Sequence, residues 1–253
     1  MRVTVVVPAF NESERLPQAA FEDYRLEKHD VRFVFVNDGS TDATQAMLEA
    51  LVSRMDASAK VIALEKNSGK AEAVRHGLVD ALDADSDAVG YWDADLATSL
   101  DELSRFIEVL ESKPNVEAVL GSRVKLLGRD IQRNPTRHYM GRVFATAASV
   151  VLNLPVYDTQ CGAKLFRNTP ALRASIAKTF SSRWIFDVEL IARLLAEKQQ
   201  ISQPSDEMFC ELPLLAWTDV KGSKLKSSDF LKASKELAAI AITYRGSLGR
   251  KTR

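Results

Sequence analysis

The residues that most directly suggest chemistry in this chain are Asp93 and Asp95, which follow the apolar segment 88–92. Residues two apart in an extended strand point to the same side, so the two carboxylates face the same way. Two like charges this close repel each other unless a positive group lies between them. One interpretation is a polar turn before a helix, with Thr98 or Ser99 as the cap. The other is a site for a divalent cation, since small hard cations prefer carboxylate oxygens.

The elements that must position this pair alternate between strand and helix through the first half of the chain. Strands alternating with amphipathic helices indicate right-handed βαβ units and an α/β fold with a mostly parallel sheet. The predicted strands are RVTVVVPAF, which Pro8 stops, VRFVFVND, AKVIALEK, AVGYWDAD and VEAVLGSR. The predicted helices are roughly 14–27, STDATQAMLEALVSRM with Ser40 or Thr41 as its N-cap, SGKAEAVRHGLVDALDAD, and LDELSRFIEVLESK.

The second half is less regular, and its pattern indicates a smaller, irregular part of the same fold. Pro213 interrupts one apolar stretch, which is typical of an edge strand because proline cannot donate to a sheet ladder. The segments are a helix TRHYMGRVFATAASVVLNL, a turn and strand DTQCGAKLFR, a helix WIFDVELIARLLAEKQ, the edge strand MFCELPLLAW and a final helix SDFLKASKELAAIAITY. Because no linker separates two parts, we expect a single domain over residues 1–253.

The composition is that of a globular protein with a substantial core. The chain has 253 residues, 46% hydrophobic and 27% charged, and its formal net charge is +0. That balance favours no particular partner, and we expect no nucleic acid ligand. Two cysteines are too few for a disulfide framework or a zinc site, which indicates a reducing compartment. Without a signal peptide or a membrane-length apolar run, we expect a cytoplasmic protein, with peripheral contact to the cytoplasmic membrane face as a further option.

Polar side chains follow each of the five strands predicted in the first half. Ligands of open α/β sheets bind at the carboxyl ends of the strands, and these ends share one edge. The polar residues at that edge are Asn11, Glu12, Asn37, Asp38, Lys66, Asn67, Asp93, Asp95, Ser122 and Arg123. Five unrelated turns would not explain why polar residues occur at the end of every one of these strands. We therefore predict a ligand site at this edge.

The turns at this edge exclude two common classes of nucleotide-binding protein. The first turn contains no G-x-G-x-x-G sequence and the chain has no Walker A sequence, which argues against dinucleotide dehydrogenases and P-loop NTPases. The successive turns instead read PAFNE, NDGSTD, KNSGKAEA and DAD. In this order they resemble the family 2 glycosyltransferases of GT-A fold. The resemblance implies a sugar transferase that uses a nucleotide-sugar donor and Mg²⁺ or Mn²⁺.

Physical roles for these residues agree with that resemblance. Phe10 and the Pro8–Ala9 backbone offer a wall for a base, and Glu12 and Asp38 accept from ribose hydroxyls or a base N–H. The NSGK turn brings backbone N–H groups and Lys70 toward phosphates, and Asp93 and Asp95 hold the metal. The alternatives are core packing for Phe10, a surface carboxylate for Glu12 and a solvated helix residue for Lys70. The expected nucleotide-sugar site comprises Pro8, Ala9, Phe10, Asn11, Glu12, Asp38, Gly39, Asn67, Gly69, Lys70, Asp93 and Ala94.

Three segments of the second half narrow the resemblance to the dolichyl- or polyprenyl-phosphate glucosyltransferase branch. They are DTQCGAKLFR, RWIFDVEL and AWTDVKGSKL, and the similarity runs from about Val3 to Leu225. Related mannosyltransferases share the first-half motifs, so these do not choose between UDP and GDP donors; we favour UDP-glucose. The resemblance implies a nucleotide-sugar-binding half, 1–123, and an acceptor-binding half with a C-terminal helix, 124–253.

A lipid phosphate acceptor suits the residues of the second half. Such a phosphate is largely ionised near neutral pH, with a second pKa of about 6, so it needs cations more than a base. The resemblance implies that Asp158 lies near the reacting centre, where it positions the acceptor or acts as a base; an Asx-turn is the alternative. Cys161 is interpreted as a buried filler. The catalytic set is Asp93, Asp95, Asp158 and Arg123, and the acceptor set is Arg123, Arg137, Gln160, Lys164, Trp184 and Asp187.

The final helix and several activities stay open at this stage. The apolar positions of this helix either pack on the domain, which we favour, or lie on a membrane. These positions are Phe230, Leu231, Leu237, Ile240, Ala241 and Tyr244. Many polyprenyl-phosphate glycosyltransferases carry transmembrane helices that we do not find here. The alternative functions are a transferase that uses GDP-mannose or a saccharide or protein hydroxyl, a nucleotidylyltransferase, and a nucleotide-sugar-binding module without catalysis.

Overall fold

The structure is a computed structural model that describes residues 1–132, 135–199, 207–218 and 227–248. Side chains at positions 56, 135–140, 199, 227–231 and 247 lie outside the description. The strands are β1 (Arg2–Ala9), β2 (Asp30–Asn37), β3 (Ala59–Ala63), β4 (Ala88–Trp92), β5 (Ala118–Ser122), β6 (Asp130–Gln132), β7 (Ala163–Arg167), β8 (Phe209–Pro213) and β9 (Ala216–Thr218). The helices are α1 (Gln18–Glu22), α2 (Thr44–Arg54), α3 (Lys70–Asp83), α4 (Glu102–Ser112), α5 (Pro135–Leu152), α6 (Pro170–Ile176), α7 (Phe186–Gln199), α8 (Ser227–Thr243) and α9 (Arg245–Leu248), with a 3₁₀ turn at Asp56–Ser58.

A seven-stranded sheet forms the centre of the described chain, in the order β3-β2-β1-β4-β7-β5-β8. The predicted mostly parallel sheet is confirmed, with β7 as the exception, since it pairs antiparallel to both β4 and β5. β8 lies at the edge beside β5, as the proline at its end predicts. β6 and β9 form a separate two-stranded parallel sheet. The second half of the chain therefore completes the sheet that the first half begins.

Helices cover both faces of the sheet, and the side chains of each strand alternate between the two apolar layers. In β1, Val3, Val5 and Val7 are buried with residues of α1, α2 and α4. Val6 points to the other layer, where it packs with residues of α3, α5 and α7. Alternation with both faces buried explains why the strand reads as a continuous β-branched run.

The first predicted helix is wrong in extent, because α1 spans only Gln18–Glu22 instead of roughly 14–27. Pro17 precedes the helix, and a residue before proline avoids helical dihedrals, so residues up to 16 cannot continue the same helix. The predicted N-cap of α2 is also wrong. Neither Ser40 nor Thr41 caps it; the carboxylate of Asp42 accepts from the Thr44 N–H at 3.0 Å instead.

The final helix packs on the domain, which confirms the interpretation that we favoured. Leu237 and Ile240 are 7% and 3% exposed and belong to the apolar layer that contains α5 and α7. Phe230 and Leu231, which also belonged to the predicted membrane face, lie among the positions whose side chains are not described. Among the described helices, none combines the length and the apolar character needed to cross a bilayer.

Candidate active site at the carboxyl edge of the sheet

The carboxyl ends of β1 to β5 lie at one edge of the sheet, because these strands run in the same direction. The reversed strand β7 adds a segment that sequence periodicity did not predict there. Its first residue, Ala163, pairs with Trp92, so residues 158–162 enter the edge beside Asp93. The predicted donor and acceptor segments therefore meet at one place.

The first two turns are hydrogen-bonded to each other. The backbone N–H of Asn11 donates to the Ser40 hydroxyl at 3.0 Å, and the Thr41 N–H donates to the Asn11 side-chain oxygen at 2.9 Å. Asn11 has a positive φ of 54°, which asparagine tolerates better than most residues. The Glu12 N–H donates to the Thr44 hydroxyl at 2.8 Å. These bonds explain why asparagine and hydroxyl residues recur in the two turns.

The wall residues sit at the end of β1. β1 continues through Pro8 to Ala9, past the expected stop, because both residues pair with β2. Pro8 has no N–H to donate, but it lies beyond Val6, the last residue of β1 that pairs with β4. No pairing with β4 is therefore interrupted. Ala9 is buried, whereas Pro8 and Phe10 are half-buried. Phe10 is therefore only partly buried at the edge, which is compatible with the predicted wall for a base.

Asp38 holds the third turn against the second. Its two carboxylate oxygens accept from the backbone N–H groups of Ser68 and Gly69 at 2.7 and 2.8 Å. Burial raises the pKa of Asp38, although these two bonds and the charge of Arg183 oppose the rise. Gly39 has a φ of +60°, and a side chain there would lie 2.4 Å from the Lys66 carbonyl carbon. Asp38 thus positions the NSGK turn in this structure, a role that the sequence interpretation did not assign to it.

Lys70 reaches the first of the two aspartates that opened the sequence analysis. Its ammonium lies 2.5 Å from a carboxylate oxygen of Asp93, at the N-terminus of α3. Burial acts to lower the pKa of Lys70, but the negative charges of Asp93, Asp187 and Asp95 together have the larger effect. The pKa of Lys70 is therefore raised overall. Asn67, in the same turn, is exposed, and Ala94 is buried between the two aspartates. A cation therefore lies beside Asp93, as the repulsion argument requires.

Asp93 is confined from the other side by the chain that enters β7. Its N–H donates to the carbonyl of Gly162 at 2.9 Å. A methyl group on Gly162 would lie 2.0 to 2.7 Å from the atoms of the Asp93 carboxylate, so only glycine fits. This contact fixes where the carboxylate can lie.

Asp95, like Asp93, is partly buried at the edge. Burial and the charge of Asp93 raise its pKa, while the Ala97 N–H, Lys70 and Arg15 oppose the rise. The Arg15 guanidinium lies 4.0 Å from an Asp95 oxygen and 3.5 Å from Glu12. Arg15 is a member of the site that the sequence reasoning missed, although it lies only three residues after Glu12.

The donor set at this edge fits a small divalent cation that a second molecule helps to hold. Asp93 and Asp95 offer hard carboxylate oxygens, and burial together with the charge of Asp93 raises the pKa of Asp95, as expected for two close acids. Within the described residues, no group of three or more His, Cys, Asp or Glu side chains could hold an ion alone. Mg²⁺ commonly binds through one or two carboxylates plus substrate phosphates, and Asp93 and Asp95 supply that number.

Arg123 and Asp158 form a bidentate ion pair on the acceptor side. The Nε and Nη2 atoms of Arg123 donate to the two Asp158 oxygens at 2.7 and 2.8 Å. The Gln160 N–H also donates to Asp158 at 3.1 Å, which is the Asx-turn considered as the alternative. Burial lowers the pKa of Arg123, but the Asp158 charge outweighs it, so the net shift is upward. Both carboxylate oxygens are engaged, an arrangement that does not favour Asp158 as a general base.

Glu211 supports this turn and was missed by the sequence reasoning. Its carboxylate accepts from the backbone N–H groups of Tyr157 and Asp158 at 2.8 and 2.6 Å. Burial raises the pKa of Glu211, and these hydrogen bonds oppose the rise. Its position on the edge strand β8 follows from tertiary pairing, and no motif marked it.

Lys164 and Asp187 form a buried ion pair beneath the site. The Lys164 ammonium donates to Asp187 and to the carbonyl of Cys161, each at 2.6 Å, and the Tyr91 hydroxyl donates to the same carboxylate oxygen of Asp187. Lys164 is 0% exposed and Asp187 5%. This placement favours a positioning role over the direct acceptor contact expected for both residues. Cys161 is buried, as predicted.

The turn before α7 connects the C-terminal helix to the donor side. The carboxylate of Glu236 accepts from the N–H groups of Arg183 and Trp184 at 3.3 and 3.1 Å. A methyl group on Gly69 would lie 3.2 Å from the Arg183 guanidinium, which therefore lies against the NSGK turn. Arg183 stands inside the RWIFDVEL motif, so a signal for it was present. Trp184 is partly exposed, and the side chain of Arg137 lies outside the described residues.

Comparisons with known proteins show which family the chain resembles. Residues 4–172 match the family described as Glycosyl transferase family 2. A dolichyl-phosphate beta-glucosyltransferase from Trichomonas vaginalis is 31% identical over 97% of this chain and 72% of its own length. The human dolichyl-phosphate beta-glucosyltransferase is also 31% identical, over 96% of this chain and 76% of its length. The chain therefore spans about three quarters of these relatives.

Solved structures share the fold at lower sequence identity. Glucosyl-3-phosphoglycerate synthase from Mycobacterium tuberculosis, in complex with Mn²⁺ and UDP-glucose, gives a TM-score of 0.66 at 17% identity over 97% of this chain and 79% of that one. TarS of S. aureus in complex with UDP gives 0.58 at 18% identity over 95% and 65%. The family match covers more than half of the chain, and relatives above 30% identity extend it to nearly all of it. The chain is a member of glycosyl transferase family 2.

Proposed function

We propose that this chain transfers glucose from UDP-glucose to a dolichyl or other polyprenyl phosphate, with inversion at the anomeric carbon. The main observation behind the proposal is that Asp93 and Asp95 lie beside residues 158–162 at one edge of the sheet. The names of the relatives, dolichyl-phosphate beta-glucosyltransferases from several organisms, support the acceptor and the sugar. The UDP-glucose in a structural neighbour supports the donor.

The donor binds across the first four turns in this account. The exposed part of Phe10 stacks on the base, and Glu12 accepts from a ribose hydroxyl. The diphosphate approaches the N-terminus of α3, where Lys70 and Arg183 carry positive charge and the helix offers backbone N–H groups. Lys70 then exchanges its contact with Asp93 for a contact with phosphate oxygens. Asp38 keeps the turn in place throughout.

Asp93 and Asp95 would hold Mg²⁺ or Mn²⁺ together with the diphosphate. When bound there, the ion offsets the negative charge that develops on the departing UDP. The Mn²⁺ in a structural neighbour supports the use of a divalent ion. Gly162 keeps the Asp93 carboxylate in position while the sugar is transferred.

The acceptor side supports a phosphate as nucleophile. An ionised phosphate needs no general base, and Asp158 has both oxygens engaged by Arg123 and Gln160. Arg123 retains Nη1, the guanidinium nitrogen that Asp158 does not engage, for an acceptor oxygen. Holding donor and acceptor in line supplies much of the rate. We also propose that the protein works in the cytoplasm, at the membrane face that presents the lipid.

Incubation with labelled nucleotide sugars tests the function. UDP-glucose, GDP-mannose and UDP-N-acetylglucosamine are each supplied with polyprenyl phosphate, and label is counted in the organic phase. We expect label from UDP-glucose alone, its loss with EDTA and its return with excess Mn²⁺. Label from GDP-mannose instead would overturn the donor assignment. Transfer to soluble sugars but never to lipid would overturn the acceptor assignment.

A further inference from the structure

An apolar groove lies between helices α5 and α8, away from the donor turns. Its volume is about 470 Å³, within the range of about 300–1,000 Å³ in which small ligands usually bind. One wall is the α5 helix and the other is α8. The lining is Val143, Phe144, Ala147 and Val151 on α5, with Ser234, Leu237 and Ala238 on α8.

Small side chains on both helices leave part of this groove open. Ala147 and Ala238 are both exposed, although each stands on a helix whose other face packs in the core. Val143 is 74% exposed at one end of the same wall. Helix pairs in globular proteins normally interdigitate side chains to native density, so an open apolar cleft of this size indicates a ligand surface.

The α5 wall of the groove begins next to a residue that contacts the predicted acceptor turn. Arg142 directly precedes the groove residue Val143, and its guanidinium lies 3.5 Å from the ring centroid of Tyr157. Arg142 also donates to the Tyr157 carbonyl at 3.4 Å. Tyr157 is followed by Asp158, the partner of Arg123. Val143, at one end of the apolar wall, therefore neighbours Arg142, whose side chain contacts the turn that we assign to the acceptor phosphate.

On the opposite wall, a residue near the groove contacts a different turn, the one before α7. On α8, Lys232 precedes the groove residue Ser234 by two positions, and its ammonium lies 5.6 Å from the Trp184 ring centroid. Trp184 belongs to the turn before α7 and is 39% exposed. A molecule in the groove would thus have apolar walls, with the Arg142 guanidinium next to the Val143 end.

We propose that this groove binds the isoprenoid chain of the lipid phosphate acceptor, with the first isoprene units next to the phosphate. The inference rests on the proposed function for the identity of the phosphate. A hydrocarbon chain is the ligand that suits a lining of six apolar side chains and one serine, because such a lining has few polar groups to select anything else. The groove takes only the units nearest the phosphate, and the rest of the lipid stays in the bilayer.

Filling the groove tests the proposal, with a neighbouring position as control. Ala147→Phe and Ala238→Phe place a ring in the groove from either wall. Ala239→Phe adds the same ring at the adjacent exposed position, which does not line the groove. Farnesyl phosphate and dimethylallyl phosphate serve as acceptors with three and one isoprene units. Binding by calorimetry is measured beside turnover, and melting temperatures verify folding.

We expect the two groove variants to weaken farnesyl phosphate binding by about tenfold, since losing the burial of two methylene groups corresponds to about that factor. Dimethylallyl phosphate binding, the KM for UDP-glucose and all properties of Ala239→Phe stay at wild-type values. Equal farnesyl phosphate affinity in all four proteins would overturn the proposal. If wild type transfers no glucose while the groove variants still lose farnesyl phosphate affinity, the groove assignment stands and the proposed function falls.

Discussion

At the residue scale, the Asp93 carboxylate is held between a cation and a backbone. Lys70 contacts one oxygen, and the α-carbon of Gly162 leaves no space for a methyl group on the other side. The close approach of Gly162 limits movement of the carboxylate toward the segment that enters β7. This confinement makes Gly162 a positioning residue for the proposed metal and donor.

Gly162→Ala should reduce kcat/KM for glucose transfer by about 10²-fold, because displacing a reacting group by about 1 Å can cost that much. The added methyl group forces the Asp93 carboxylate to move. Gly246→Ala is the matched control, because no atom of the described residues lies within 4 Å of a side chain there. Steady-state kinetics of both variants, with melting curves, make the comparison. Equal activity of the two variants would show that the Asp93 position does not matter.

The buried pair Lys164–Asp187 permits a second prediction at this scale. Lys164→Met should lower the free energy of unfolding by about 3–5 kcal/mol, because Asp187 is left as an uncompensated buried charge. Lys164→Met/Asp187→Leu should recover much of that loss. Urea denaturation measures both effects.

The control for this prediction is an exposed ion pair of similar length. Lys60 lies 2.5 Å from Asp80, and its side chain is 47% exposed. Lys60→Met should cost about 0–1 kcal/mol, since solvent screens exposed pairs. A Lys164→Met loss as small as that of Lys60→Met would contradict a positioning role for the buried pair.

At the element scale, the start of α2 depends on Asp42. Burial acts to raise the pKa of Asp42, but hydrogen bonds from Thr44 and Ser13 outweigh it and lower the pKa to about 2. The lowered pKa means that the contribution to stability is complete above the unfolded value of about 3.9 and disappears as the pH falls toward 2.

Asp42→Ala should therefore destabilise the protein by about 1 kcal/mol near neutral pH, a normal loss for a helix cap. The difference from wild type should shrink as the pH falls from about 4 toward 2. Urea denaturation at a series of pH values measures it. A difference that stays constant from pH 6 to pH 3 would exclude the carboxylate as its source.

Local sequence patterns predicted most elements because their causes are local. The β-branched runs of β1 and β2 and the amphipathic repeat of α3 depend on side chains within the element. The short α1 shows the limit, since the effect of Pro17 outweighed a helical pattern. The reversal of β7 was not predictable from periodicity, because an apolar strand reads the same in either direction. Its direction decides which residues reach the edge.

The same distinction applies to the site. Asp93, Asp95 and the NSGK turn carry recognisable motifs and lie at the predicted edge. Glu211 and the buried role of Lys164 depend on contacts between residues distant in sequence. Asp38 was placed correctly, but its oxygens engage the neighbouring turn. Sequence identified positions at strand ends better than it identified the partner of each side chain.

At the scale of the whole molecule, one sheet edge collects chemistry from both halves of the chain. The first half contributes the turns after β1 to β4, and the second contributes the 158–162 turn through the reversed β7. In the function that we propose, the groove between α5 and α8 holds the start of the lipid, so a water-soluble nucleotide sugar and a lipid approach different parts of the protein.

The central claim is that glucose transfer to a lipid phosphate occurs at the edge marked by Asp95. The most direct measurement compares Asp95→Asn with Asp87→Asn in the transfer of label from UDP-glucose to polyprenyl phosphate. Asp87 lies just before β4, at the opposite end of that strand, and is exposed. We predict a loss of about 10²-fold or more in kcat for Asp95→Asn, as for other groups that stabilise transition-state charge, and wild-type activity for Asp87→Asn. Full activity in Asp95→Asn would contradict the account.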